Sequence, residues 1–281
     1  MKKKNKVREI ITIMIKVIFF FLFPAIFSTA FSGIKSICSQ LYAREIIEIN
    51  PFVLTLICLL GFTIVFGRFF CGFACAFGIY GDVVYEIGSR IRKKRKKKPF
   101  QFPEEAGKKL KYIKYVILLA IMIFCLLGRA QWINENSIWT LFSQLHALKI
   151  PGSQYLTAYL LFLLITIGMI FEKRFFCRFL CPMGAVFSLL PVLPFFAIKR
   201  NRENCIKGCR ACKMRCPANI DLASEEEGDN AGMGECFACG RCIETCPKGN
   251  IHIGIGTIKG NEVWLLVVKA GILLGMCYIL A

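Results

Sequence analysis

No C-x-x-C-H run occurs in the 281 residues, which excludes covalently attached c-type haem. Carboxylates are scarce: 18 Asp and Glu stand against 37 Lys and Arg, a formal net charge of +19. Long polar stretches are scarce too. Hydrophobic residues make up 56% of the chain and mean hydropathy is +0.56. That apolar share exceeds the share in ordinary soluble domains. Apolar runs with basic punctuation read as an integral membrane protein. No signalling segment is visible, and no run outlines a substrate pocket.

Cysteine, by contrast, is abundant, with sixteen residues. Eight fall between Cys205 and Pro247, in two runs that each end in Cys-Pro. The second run, Cys236, Cys239, Cys242 and Cys246, is C-x2-C-x2-C-x3-C-P, the ligand spacing of bacterial [4Fe-4S] ferredoxins. The first run, Cys205, Cys209, Cys212 and Cys216, differs by one extra residue between its first two cysteines. Gly208 lies in that spacer and tolerates the positive φ that absorbs an insertion. Zinc ribbons use two C-x2-C pairs, not two four-cysteine runs closed by Cys-Pro. The stretch resembles a two-cluster bacterial ferredoxin, in which the fourth cysteine of each run serves the other cluster. The resemblance implies two [4Fe-4S] clusters, one on Cys205, Cys209, Cys212 and Cys246, the other on Cys236, Cys239, Cys242 and Cys216. Free thiols in such numbers place this region in a reducing compartment.

Five apolar runs surround it: from Ile10 to about Phe31, Pro51 to Phe66, Tyr115 to Leu127, Tyr155 to Phe171 and Val263 to Ala281. The first reads as an uncleaved membrane helix rather than a signal peptide, because it is long for a signal. Residues 32–50 and 129–154 read as polar, mixed segments. The basic segments at 1–8, 90–114 and 198–215 all belong on the cytoplasmic side. Helices alternating from a cytoplasmic N-terminus satisfy all three, and they put the cysteine runs on the reducing side. The block Arg90 to Lys98 reads as a topology signal that meets anionic lipid, not nucleic acid.

The membrane part is duplicated. Arg68-Phe-Phe-Cys-Gly-Phe-Ala-Cys75 recurs 106 residues later as Arg174-Phe-Phe-Cys-Arg-Phe-Leu-Cys181, and Gly78 matches Gly184. Ser39-Gln-Leu-Tyr-Ala43 recurs as Ser143-Gln-Leu-His-Ala147 at an offset of 104. Two hairpins of the same topology are expected, related by an axis along the membrane normal. Cysteines at i and i+4 share a helix face, so Cys71 pairs with Cys75 and Cys177 with Cys181. A pseudo-twofold brings these four thiols together, with Arg68 and Arg174 to stabilise anionic charge. Four soft thiolates suit an Fe–S or zinc centre. Dithiol/disulfide pairs, copper(I) ligation and simple packing are the alternatives.

The remaining cysteines, Cys38, Cys58, Cys125 and Cys277, read as buried small hydrophobes. His146 lies in an amphipathic interfacial segment, 137–148. It reads as an interfacial polar residue, with hydrogen bonding to a quinol as the sharper alternative.

The fold class expected is an all-α polytopic membrane protein of about five transmembrane helices in two parallel hairpin repeats, with a cytoplasmic two-cluster ferredoxin-like domain. The boundaries are 1–89 and 115–198 for the repeats, 90–114 for the basic loop, 199–258 for the ferredoxin-like region and 263–281 for the last helix. Two C-x3-C motifs followed by a ferredoxin region resemble the NapH and NosR group of membrane polyferredoxins. The resemblance covers residues 10–258, with Ala76 in place of the proline that follows the motif at Pro182. No flavin-binding domain of the larger NosR type precedes the first helix. The resemblance implies an electron-transfer subunit of a bacterial cytoplasmic membrane, rather than a stand-alone enzyme. It would work between a membrane donor, with quinol as one candidate, and a redox partner protein. Metal handling or oxidoreductase maturation through the intramembrane cysteines is the alternative, and a redox sensor ranks third.

Overall fold

Pro24 breaks the first apolar run, because proline has no N–H and biases the residue before it away from helix. The structure is a computed structural model that describes residues 2–44, 46, 48–96, 103–193, 196, 198–200, 205–206, 208–222, 234–253 and 261–280. Where one helix was expected it has two, α1 (Lys2–Leu22) and α2 (Ile26–Ala43), bent by 58°. Residues 32–43 are thus helix, not a polar loop, and Ala30, Phe31 and Cys38 are buried on α2. Gly33 lets α2 approach α3 (Pro51–Phe66) closely, since a Cβ there would press into the Phe52 carbonyl. Asn50 caps α3, accepting the Val53 N–H at 2.9 Å, and Pro51 sits in the first turn. The repeat continues through the short α4 (Phe69–Phe73) to α5 (Ala76–Lys94).

A helix α6 (Glu104–Leu110) leads into the second repeat. There α7 (Ile113–Leu126) is followed by α8 (Ala130–Glu135) and α9 (Ile138–His146), then α10 (Leu156–Phe171), the short α11 (Phe175–Phe179) and α12 (Pro182–Leu189). The two repeats interlock. In one direction α5 lies on α10, with Tyr80 stacked on Phe162 and its hydroxyl 3.1 Å from that of Thr166. In the other, the chain after α12 crosses α3, where the Leu193 N–H donates to the Ile64 carbonyl at 2.8 Å and Phe196 packs on Phe66. Trp139 packs among Phe27, Phe31 and Phe176 in the shared core.

The ferredoxin-like region pairs β1 (Ile198–Arg200) antiparallel with β2 (Ile251–Ile253), Ile198 opposite Ile253. Between them lie α13 (Ala211–Arg215) and α14 (Arg241–Thr245), over a small core that includes Ile220, Leu222 and Ile243. The acidic spacer Ser224–Asp229 lies outside the described residues. The last helix, α15 (Glu262–Leu280), packs on α3 and α1.

Of the five expected spans, Ser153–Phe171 and Glu262–Leu280 are each long and apolar enough to cross a bilayer, and the bent pair α1–α2 makes a third. The other two, α3 and α7, are apolar but have 16 and 14 residues. At a rise of about 1.5 Å per residue they fall short of a hydrocarbon core about 30 Å thick. Exposed apolar side chains such as Leu160, Leu163 and Leu164 on α10 and Val116 and Leu119 on α7 form the outer surface. That surface belongs in lipid, and the chain is a membrane protein.

Candidate functional site

Two cavities open in the ferredoxin-like region, each ringed by four cysteines. One is lined by Cys216, Cys236, Cys239 and Cys242, with Ile198 and Phe237. The other is lined by Cys205, Cys209, Cys212 and Cys246. Each cavity draws three cysteines from one run and the fourth from the other. Gly208 adopts φ 76° in the longer spacer. Amide N–H groups approach the sulfurs: that of Ala238 lies 3.4 Å from Cys236 Sγ, and that of Asn250 lies 3.4 Å from Cys246 Sγ. Such donors tune the potential of thiolate-bound iron.

Burial pushes the Cys236 thiol up to about 12, and Cys239 and Cys216 add to the shift. Burial likewise raises Cys242, Cys216 and Cys212. These groups do not ionise alone near neutral pH; a bound cation must replace the protons. Among the described residues no three His, Cys, Asp or Glu side chains converge closely enough to hold a single metal ion. Four thiols spread around a cavity, three from one run and the fourth from the other, fit a multi-iron cluster.

The second set of four lies between the repeats. Cys71, Cys75, Cys177 and Cys181 are all buried in the main core, and Cys181 is within electrostatic reach of the other three. They do not lie as i,i+4 pairs on continuous helices. Cys71 and Cys177 sit on α4 and α11, while Cys75 and Cys181 are the N-cap residues of α5 and α12. The break sets Cys75 and Cys181 at the two helix N-termini, where positive dipole ends favour anions. The Gly184 N–H donates to Cys181 Sγ at 3.2 Å.

The glycines that follow each motif make room for the other repeat's arginine. A Cβ on Gly78 would strike the Arg174 guanidinium, and one on Gly184 would lie 3.0 Å from Arg68 Nη2. Arg174 donates to the carbonyls of Cys71 and Gly72 and forks onto Asp82 (Nε–Oδ1 2.8 Å, Nη2–Oδ2 2.7 Å), which also accepts from Lys16. Arg68 donates to Ser188 Oγ and to Glu235 Oε2, both at 3.1 Å. Lys114 joins that pair, 2.6 Å from Glu235 Oε1 and 2.9 Å from Ser188 Oγ. Burial pushes the Glu235 carboxyl up, but Arg68 and Lys114 outweigh it and hold it below the usual range. Four buried or nearly buried cations therefore meet two carboxylates, with Arg241 reaching Asp82 at 3.9 Å from the rim. Nε and Nη2 of Arg68 have no hydrogen-bond partner among the described residues, although Arg68 is within electrostatic reach of Cys71, Cys181 and Cys177. Unmatched positive charge and unused donors beside four thiols fit a bound anionic thiolate group.

The ferredoxin-like region is seated on this site. Phe237 lies between the two guanidiniums, 4.8 Å from Arg68 and 5.6 Å from Arg174. Its carbonyl abuts Gly72, where a Cβ would collide with it. On the far side, buried Arg8 of α1 donates to the carbonyls of Cys239 and Gly240, both at 3.1 Å, and pairs with Glu244.

The roles of Arg68 and Arg174 were legible in the repeat. Those of Lys16, Asp82, Lys114, Glu235, Phe237 and Arg8 were not singled out. A lysine inside an apolar run at Lys16 and the mismatch of Asp82 with Ser188 at the repeat offset were the available signals. His146 packs against Phe20, Phe21 and Phe142 rather than beside a described cavity. Tyr42 packs against Gly128, and Cys38 and Cys125 are buried together with Ile133.

A helical membrane unit carrying two cysteine-ringed cavities defines an iron–sulfur membrane protein. The family described as 4Fe-4S binding domain matches the chain twice, at residues 51–98 and 155–201, and the 4Fe-4S dicluster domain matches residues 197–247. Two uncharacterized proteins of Methanocaldococcus jannaschii are similar to it. One is 30% identical over 237 residues, covering 82% of this chain and 87% of the relative. The other is 32% identical over 192 residues, covering 68% and 66%. The putative electron transport protein YccM of Escherichia coli is 26% identical over 200 residues, covering 69% of this chain and 53% of the relative. More distant relatives include the regulatory protein NosR and the ferredoxin-type protein NapH. No solved structure matches the chain. The chain belongs to the NapH/NosR-like family of membrane polyferredoxins. It binds [4Fe-4S] clusters and has an iron–sulfur electron-transfer role.

Proposed function

We propose that the protein conducts electrons between a membrane donor and a redox partner protein through three iron–sulfur sites. Two are the cysteine rings of the ferredoxin-like region, with ligand sets Cys205, Cys209, Cys212, Cys246 and Cys216, Cys236, Cys239, Cys242. The third is the set Cys71, Cys75, Cys177 and Cys181 between the repeats. The observation that carries this reading is the buried, net-positive shell around those four thiols, beside which the Cys236–Cys239 segment is seated. Bound clusters supply one-electron redox chemistry, with the protein setting position and potential.

In this reading the chain's own residues do three things. Arg68 and Arg174 balance thiolate charge without ligating. The Phe-rich packing around the motifs excludes water. The two short helix breaks fix the four sulfurs relative to one another. The basic segments at 1–8 and 90–114 support a ferredoxin-like region on the cytoplasmic side of the membrane. Quinol, which is soluble in the bilayer, is the proposed membrane donor.

The test is iron and acid-labile sulfide per chain in anaerobically purified protein. Iron beyond two cubanes supports the third site. Copper in place of that extra iron would favour the maturation reading instead.

A further inference from the structure

Each repeat sets the other's arginine beside a lysine, but only the first supplies a carboxylate of its own. In the first, Lys16 and the incoming Arg174 share Asp82. In the second, Lys114 and the incoming Arg68 meet Ser188, which stands 106 residues after Asp82 and carries no charge. The missing carboxylate arrives from elsewhere in the chain. Glu235, next to Cys236, inserts between Arg68 and Lys114 at 3.1 and 2.6 Å. Two residues on, Phe237 lines the cavity of Cys216, Cys236, Cys239 and Cys242 and its ring packs on both repeat arginines. Gly72 and Gly234 permit this approach: a Cβ at Gly72 would strike the Phe237 carbonyl, and one at Gly234 would lie 2.9 Å from the Ser188 carbonyl.

We infer that residues 234–237 are a structural part of the intramembrane thiol site, with Glu235 as the positioning residue that supplies the carboxylate the second repeat lacks. Phe237 is then a wall shared by two redox sites, so the ferredoxin-like region is fixed to the membrane unit rather than tethered to it. This rests on reading the four thiols as one redox site, but its test does not depend on iron at those thiols.

Amide hydrogen exchange of the full-length protein in detergent reads the docking, in peptides covering 234–240 and 68–78. Wild type is expected to be protected. Glu235→Gln leaves Arg68 and Lys114 without their anion and is expected to raise exchange there by roughly a hundredfold, the opening expected when a buried pair loses a partner. Ser188→Asp in the Glu235→Gln background restores the first repeat's arrangement and is expected to return protection, as is the conservative Glu235→Asp. Exchange unchanged in Glu235→Gln overturns the inference. So does failure of Ser188→Asp to restore protection, whether or not Glu235→Gln accumulates alone. Wild type with no iron beyond two cubanes, while Glu235→Gln still loses protection, would instead sink the reading of the thiols and leave the docking in place.

Discussion

Arg174 forks onto Asp82 across the repeat boundary, two charge-assisted hydrogen bonds of 2.8 and 2.7 Å made by a side chain 3% exposed. This is the tie that joins the N-terminus of α5 to the second repeat. It brings Cys71 and Cys75 beside Cys177 and Cys181, because the same guanidinium also holds the carbonyls of Cys71 and Gly72.

Asp82→Asn therefore leaves Arg174 and Lys16 buried without a carboxylate. Breaking a buried pair from one side costs about 3–5 kcal/mol. The expected outcome is a markedly lower thermal midpoint in detergent, accompanied by loss of the intramembrane site. A variant as stable as wild type would mean that solvent or lipid reaches this cluster.

Gly72→Ala should unseat the ferredoxin-like region, since the added methyl meets backbone at Phe237 and cannot be relieved by a side-chain rotation. Gly61, on α3, has open space around it, and Gly61→Ala is the control. Limited proteolysis is expected to release the region from the first variant and not from the second.

Gly208→Ala places a side chain at φ 76°. With nothing near the added Cβ, the cost is backbone strain alone, about 1 kcal/mol. Assembly of the cluster on Cys205, Cys209, Cys212 and Cys246 should slow in reconstitution with iron and sulfide. The ring containing Cys236 should fill at its normal rate, and equal slowing of both would contradict a local effect.

Arg8→Ala removes the link between α1 and the carbonyls of Cys239 and Gly240. The expected result is faster amide exchange in residues 239–244 with little change in the four thiols between the repeats. It also separates the two uses of the basic N-terminus, since a reporter of topology should not change.

Much of the site could be read from the sequence because its signals are local. Cysteine spacing needs only a short loop, and the residue that relaxes the odd spacer, Gly208, was visible in that loop. The duplicated motif brought Arg68 and Arg174 to attention because both stand at the same offset as the cysteines. The charge partners were not legible for the opposite reason. Glu235 is 167 residues from Arg68, and Lys114 is 121 from Glu235, so only tertiary folding joins them. Helix ends are less legible in the sequence, because a proline or a cap decides them. Pro24 split a run that hydropathy joined, and the break after Ala74 removed Cys75 from the face it was expected to share with Cys71.

If the four thiols between the repeats hold iron in addition to the two ferredoxin clusters, removing them removes that iron alone. The most direct measurement is iron and sulfide per chain, with low-temperature EPR of the reduced protein, on anaerobic wild type and on the variant carrying Cys71→Ser, Cys75→Ser, Cys177→Ser and Cys181→Ser. The variant is expected to fall to about eight irons, the content of two cubanes, and to keep both ferredoxin signals while wild type holds more. Equal iron in the two proteins, with identical spectra, would contradict it.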